Sequence, residues 1–189
     1  MRHRIFIAIN LPESIKTALG DWKNKYPELP AKWTKSENLH ITLEFLGYLD
    51  DQALTGVKQI IKDVAAGHNL FSLALTEICY GPPKTLPPRM VWAIGKESRE
   101  FVLLCDNLKK ELAKLLKIQK KSGNKENIPH ITLARIKEWE WRYIEPEERP
   151  EIERIIDFKL PVESIDLMES VLRKSGPEYK ILESFNLNK

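Results

Sequence analysis

The tetrapeptide HITL stands at residues 40–43 and again at residues 130–133 of a chain that has only four histidines. A repeat beginning with so scarce a residue arises by chance roughly two times in a thousand at ordinary residue frequencies. The flanks repeat as well. ENLHITL (Glu37 to Leu43) and ENIPHITL (Glu126 to Leu133) share Glu, Asn and an aliphatic residue ahead of the histidine, offset by Pro129. The pair reads as a duplicated functional element, and its secondary structure decides what it can do. In a helix, residues two apart diverge by about 200° around the axis, so His40 and Thr42 could not share a site. In a strand they leave the same face, roughly 6–7 Å apart. A strand therefore sets an imidazole and a hydroxyl side by side on an open face, with Ile41 and Leu43 anchored in the core behind them. The second copy does the same with His130 and Thr132.

Further strand-like runs flank the two copies: HRIFIAIN, LFSLALTEICY, RMVWAIG, RIIDFKLPV, SIDLMESVLR and YKILESFNL. Several alternate polar and apolar, as in an antiparallel sheet with one covered face. Three segments carry helical period instead. LPESIKTALGDWKNKY opens on Pro12 and repeats Ile15, Leu19 and Trp22. DDQALTGVKQIIKDVAAG opens on acids and stops at Gly67, and a third stripe runs from Phe101 through Leu115 towards Gly123. A shorter helical turn is expected around Pro150 to Arg154. The order, approximately β-α-β-α-β-β-α-β-(α)-β-β-β, argues an α+β fold rather than a doubly wound parallel sheet. No linker divides residues 1–189, so the two halves, each with one HITL strand, are expected to be similar lobes of a single domain. GPPKTLPP (Gly81 to Pro88) reads as a surface loop.

Composition narrows the function classes. Hydrophobic residues at 42% and charged residues at 30% describe an ordinary soluble globular chain. Apolar runs are too short to span a bilayer, and the N-terminal run is too short for a secretory signal. Cys79 and Cys105 form no CxxC, which fits reduced thiols in the cytoplasm. A net charge of +3 is compatible with an anionic ligand. The basic stretch Leu108 to Lys125 has two readings, a solvated helix face or a contact for a phosphate backbone. His3 and His68 are expected in solvent, and Trp33, Trp92, Trp139 and Trp141 in the core or at its rim. Arg89 and Lys84, beside the proline loop, are candidates for a cleft rim.

Two histidines and two hydroxyls suit phosphoryl chemistry without a metal. A neutral imidazole can take a proton from an attacking water or hydroxyl, and a protonated one can give a proton to the leaving oxygen. Histidine fits both tasks because its ordinary pKa lies near neutrality. Threonine hydroxyls can donate hydrogen bonds to phosphoryl oxygens. A metal site fits less well: two histidines leave it short of ligands, and neither copy carries HExxH or a nearby cysteine. Glu44 shares strand parity with His40, but its counterpart in the second copy is Ala134. The residues themselves leave open which histidine is the acid and which the base.

With these motifs the chain resembles the two-histidine (2H) phosphoesterases, whose signature is a pair of H-x-[ST]-x motifs. More narrowly, it is similar to the bacterial and archaeal RNA 2',3'-cyclic phosphodiesterases, historically called 2'-5' RNA ligases. RIFIAINLPESI, KWTKSENLHITLEFLGYL, PRMVWAIG, IPHITLARI and IDLMESVLRKSGPEYKILESFNL carry the resemblance over nearly the whole chain. It implies a pseudo-twofold, bilobal α+β fold, with two antiparallel sheets around a central cleft and helices outside. It implies metal-independent hydrolysis of 2',3'-cyclic phosphate RNA ends, tRNA halves among them, to 2'-phosphates, with no cofactor. Reverse, ATP-independent 2'-5' ligation is a further expectation. His40 would give the proton to the departing 3'-oxygen and His130 would take one from water, while Thr42 and Thr132 hold phosphoryl oxygens. Arg135 would pair with phosphate, which a guanidinium suits, but in a regular strand it faces away from His130 and needs a bulge. Phe6 has two readings, stacking on a base and packing in the core. A cytoplasmic monomer that touches no membrane is expected. The alternatives are another nucleotide substrate for the same chemistry, such as ADP-ribose cyclic phosphate or 2'-5' oligoadenylate, and a non-catalytic RNA-binding module.

Overall fold

A computed structural model describes residues 2–83, 85–117, 127–174 and 176–189. Strands form where apolar residues alternate or run together. These are β1 (Arg2–Asn10), β2 (Ala31–Trp33), β3 (His40–Asp50), β4 (Phe71–Gly81), β5 (Met90–Gly95), β6 (His130–Ile136), β7 (Arg154–Val162), β8 (Ser164–Arg173) and β9 (Gly176–Asn186). Helices form where the period lengthens: α1 (Glu13–Gly20), α2 (Asp51–Ala66), α3 (Arg99–Leu116) and the single turn α4 (Glu138–Trp141). Asp50 caps α2 by accepting from the Ala53 N–H, and Ser98 caps α3 by accepting from Phe101. Each cap satisfies an N–H that the first helical turn cannot.

The strands are antiparallel and run in the order β7-β4-β5-β6-β3-β1-β8-β9, with β2 also on β6. This is two four-stranded halves, β6-β5-β4-β7 and β3-β1-β8-β9, each with an HITL strand on its inner edge. Among the described residues the inner edges pair at one position, Ile41 with Ile131. The two expected sheets are therefore continuous through a single residue pair. Behind that seam, Ile41, Leu43, Ile131 and Leu133 join the main core with Val57 and Ile61 of α2 and Leu104 and Leu108 of α3. Burying one such side chain contributes about 1.5–3 kcal/mol. No helix among the described residues is long and apolar enough to cross a membrane.

Several expectations are corrected. The short strand β2 is absent from the sequence reading. The helical turn expected at 150–154 does not form; its place before β7 is irregular chain, and the nearest turns are α4 and a 3-10 turn at Pro146–Glu148. His3 is not free in solvent: its ring nitrogens lie 2.6 Å from Glu169 and 3.2 Å from Asp51. His68 is half-buried and contacts Asn107. Trp139 is exposed rather than at the core's rim. The end of the third helical stripe at Gly123, the part of the basic stretch after Lys117, and Lys84 lie outside the described residues.

Candidate active site

The Ile41–Ile131 pair works as a local twofold axis. One step to either side in an antiparallel register, His40 lies across from Thr132 and Thr42 across from His130. Residues opposite one another share a face. With both isoleucines in the core, all four polar side chains therefore rise on the opposite, open side. All four are half-buried.

Each HITL ends in an irregularity. Ile7 pairs with Glu44 and Ala8 with Thr42, so Leu43 is an extra residue on β3. Val91 pairs with Ala134 and Trp92 with Thr132, so Leu133 is an extra residue on β6. The extra residue reverses the alternation beyond it. Arg135 consequently returns to the face of His130 and Thr132, opposite Met90, and the bulge that its parity required is present. The same slip corrects Glu44. It is turned from His40 towards α3, where burial pushes its carboxyl up, the Lys109 charge opposes that, and its own charge reaches Cys105. Phe45 takes the open-face position that regular alternation gave to Glu44.

Both imidazoles are held by the same device. His40 Nδ1 lies 2.7 Å from the Asn38 carbonyl and His130 Nδ1 2.9 Å from the Ile128 carbonyl, each two residues upstream. A carbonyl only accepts, so Nδ1 carries the hydrogen and the neutral ring presents a bare Nε2. His40 Nε2 is 3.0 Å from Thr42 Oγ1, which donates to it in that state. Among the described residues, His130 Nε2 has no such partner, and Thr132 Oγ1 instead donates a long contact of 3.9 Å to Met90 Sδ. Burial is the main force pushing both imidazoles below their ordinary value of 6.5. For His40, the Asn38 carbonyl opposes burial, while the charges of Lys16 and His130 add to it.

The rings behind the histidines differ. His40 is met edge-on by Tyr179 of β9, at 5.2 Å between centroids, and at a tilt by Phe6, at 5.0 Å. His130 lies against Trp92, with centroids 4.1 Å apart and planes 29° apart. Phe6 is corrected as a base platform: it is 2% exposed, its ring packed against His40, Phe45 and Tyr179. The exposed ring is Phe45, at 67%.

Trp92, Phe45, Tyr179 and Lys16 were missed as site residues. Lys16 is buried on α1, one turn before Gly20, which packs on Ser36 at the start of the turn leading to His40. A helix directly after the opening strand was the available signal for Lys16. Trp92 was visible as an aromatic on the strand that precedes α3 and the second motif. Among the described residues, no group of three His, Cys, Asp or Glu side chains is disposed to hold a metal ion.

The chain is similar to known proteins over most of its length. The family model described as LigT like Phosphoesterase matches residues 9–92, which include the first motif. An RNA 2',3'-cyclic phosphodiesterase of Thermotoga maritima is 30% identical over 95% of this chain and 92% of its own length. One of Thermus thermophilus is 30% identical over 97% of this chain and 90% of its own. The crystal structure of TT0787 of Thermus thermophilus superposes with a TM-score of 0.80 at 29% identity, covering 97% of each chain.

Proposed function

The chain belongs to the LigT-like phosphoesterases, and from that premise we propose that it opens RNA 2',3'-cyclic phosphate ends to 2'-phosphomonoesters by metal-independent acid–base catalysis between His40 and His130. Water attacks the phosphorus and gives a proton to His130 Nε2. The bond from phosphorus to the 3'-oxygen breaks, and His40 Nε2–H gives that oxygen its proton. The 2'-ester bond is kept. Thr42 and Thr132 donate to the non-bridging oxygens, and Arg135 balances the charge on the phosphoryl group. If a 5'-hydroxyl replaces water, the same proton transfers yield a 2'-5' linkage, driven by opening of the cyclic ester rather than by ATP.

One observation carries this reading. Two imidazoles rise on one open face beside the Ile41–Ile131 pair, each with Nδ1 on a backbone carbonyl, so that both work through Nε2. A general acid and a general base must reach opposite ends of one in-line displacement, and a pair related by a local dyad suits that requirement. Burial favours the neutral form of both in the free protein, so the substrate's negative charge would help His40 hold its proton. The test is turnover of a cyclic-phosphate-ended RNA in the presence of EDTA by wild type, His40→Ala and His130→Ala. A 2'-phosphate product from wild type and its loss in both variants is the expected result. Turnover that needs an added divalent cation, or that survives loss of both histidines, would sink the reading.

A further inference from the structure

We propose that Trp92 is a positioning residue for the proton acceptor: its indole face fixes the rotation of the His130 imidazole, so that Nε2 is aimed at the attacking water. This rests on the acid–base reading above and extends it to a side chain that touches neither water nor phosphate in the scheme. Two constraints fix a ring that could otherwise turn about its bond to the chain. The Ile128 carbonyl holds Nδ1 at 2.9 Å, and the indole covers one face with centroids 4.1 Å apart. Stacking between such rings is favourable beyond the area it buries.

The indole is itself held on two sides. Its Nε1–H donates to Met90 Sδ at 3.3 Å, the sulfur that Thr132 also approaches. On its other side lies Gly81 of β4, where a Cβ would come within 2.4 Å of Trp92 Cδ2. The glycine leaves the room that the flat ring occupies. The fold does not demand this bulk. On the other side of the dyad, Ala8 pairs with Thr42 as Trp92 pairs with Thr132, and there the sheet closes over a methyl group.

Kinetics and fluorescence test the proposal together. Trp92→Leu removes the stack and should lower kcat about 10–100-fold, with KM within about twofold, because a small misplacement of a reacting group is costly. Trp92→Phe keeps a flat ring and should restore kcat to within about threefold of wild type. Gly81→Ala, which pushes the indole without touching it chemically, should fall between the two. The chain has five tryptophans, so the Trp92 emission is the difference between wild type and Trp92→Phe. A protonated imidazole in contact with an excited indole accepts an electron and quenches it. That difference emission should therefore fall as pH drops through the titration of His130, and the step should vanish in His130→Asn. A Trp92→Leu enzyme with wild-type kcat, a Trp92→Phe enzyme as impaired as Trp92→Leu, or emission indifferent to His130 would each overturn the proposal. Should His130→Ala keep turning over RNA, the acid–base reading fails instead, and the emission step still decides whether the stack holds the ring.

Discussion

Three residues beyond its threonine, the β3 half-site presents Phe45 and the β6 half-site presents Arg135. Both reach the open face by the same device, an extra leucine at the end of HITL. The backbone is duplicated; the side chains are not. Phe6 stands opposite Phe45, and Met90 stands opposite Arg135. One half is therefore an aromatic surface and the other carries a fixed cation. A symmetric pair of histidines cannot by itself say which end of a phosphodiester belongs where. On the proposed reading the side chains around it would, because a phosphate would be drawn to the Arg135 guanidinium and not to the ring of Phe45.

The largest effects test whether the halves are parts of one site. His40→Ala and His130→Ala should each lower turnover about 10²–10⁴-fold, the ordinary worth of a general acid or base. The double variant should be about as slow as the worse single one, because the two act in one step. Two halves that worked independently would instead show losses that multiply.

Arg135→Phe makes the halves alike at the position where they differ. It should lower kcat/KM about 10–100-fold, the equivalent of one charge-assisted hydrogen bond, and weaken the dependence on salt. An unchanged salt dependence would mean that Arg135 does not meet phosphate.

A pH series separates the two imidazoles. The productive form of the pair holds one proton, and burial lowers both titrations below 6.5. The bell for kcat/KM should therefore peak on the acid side of 6.5. Lys16→Met removes a charge that lowers His40 and does not figure among the causes at His130. The limb governed by His40 should move to higher pH while the other stays, and a shift of both limbs together would break the distinction.

The smallest effect lies far from the cleft. The pairing with Glu169, ahead of all other causes, raises the His3 pKa above 6.5. A raised pKa means that the folded state holds this proton more tightly than the unfolded chain does. The stabilisation is complete below 6.5 and fades as pH climbs through the folded value. The difference in unfolding temperature between wild type and His3→Gln should shrink over that window, and one that grew with pH would contradict the ion pair.

Much of this was legible in the sequence, and what was not has a common cause. The strand periods, the acids that open α2 and the doubled motif are local signals, and the strand periods with the motif placed both histidines and both threonines on strands with aliphatic residues behind. Leu43 and Leu133 are read correctly as core, but nothing in either strand marks the residue after them as a second core position. A bulge is a mismatch in count between two strands, and β1 and β5 set that count from far away in the chain. Glu44 was therefore assigned to the wrong face, and Arg135 was left needing a distortion. Phe6 stood in an unbroken apolar run, Ile5 to Ile9, that is buried on both faces and so has no alternation to show which side it takes. The three residues of β2 were too few to carry a period.

The seam at Ile41 and Ile131 also has a mechanical side. Were the halves to turn against one another, it would be a fulcrum with arms of unequal length. His40 and His130 sit one residue from it, about 3.4 Å along the strand, whereas Phe45 and Arg135, beyond the bulges, sit three steps of the partner strands out, roughly 10 Å. A turn of about 10° of one half against the other would move the imidazoles by about 0.6 Å and the outer residues by about 2 Å. The imidazoles proposed to exchange protons would thus be insulated from the angle between the halves, while the separation of Phe45 and Arg135 would change with it.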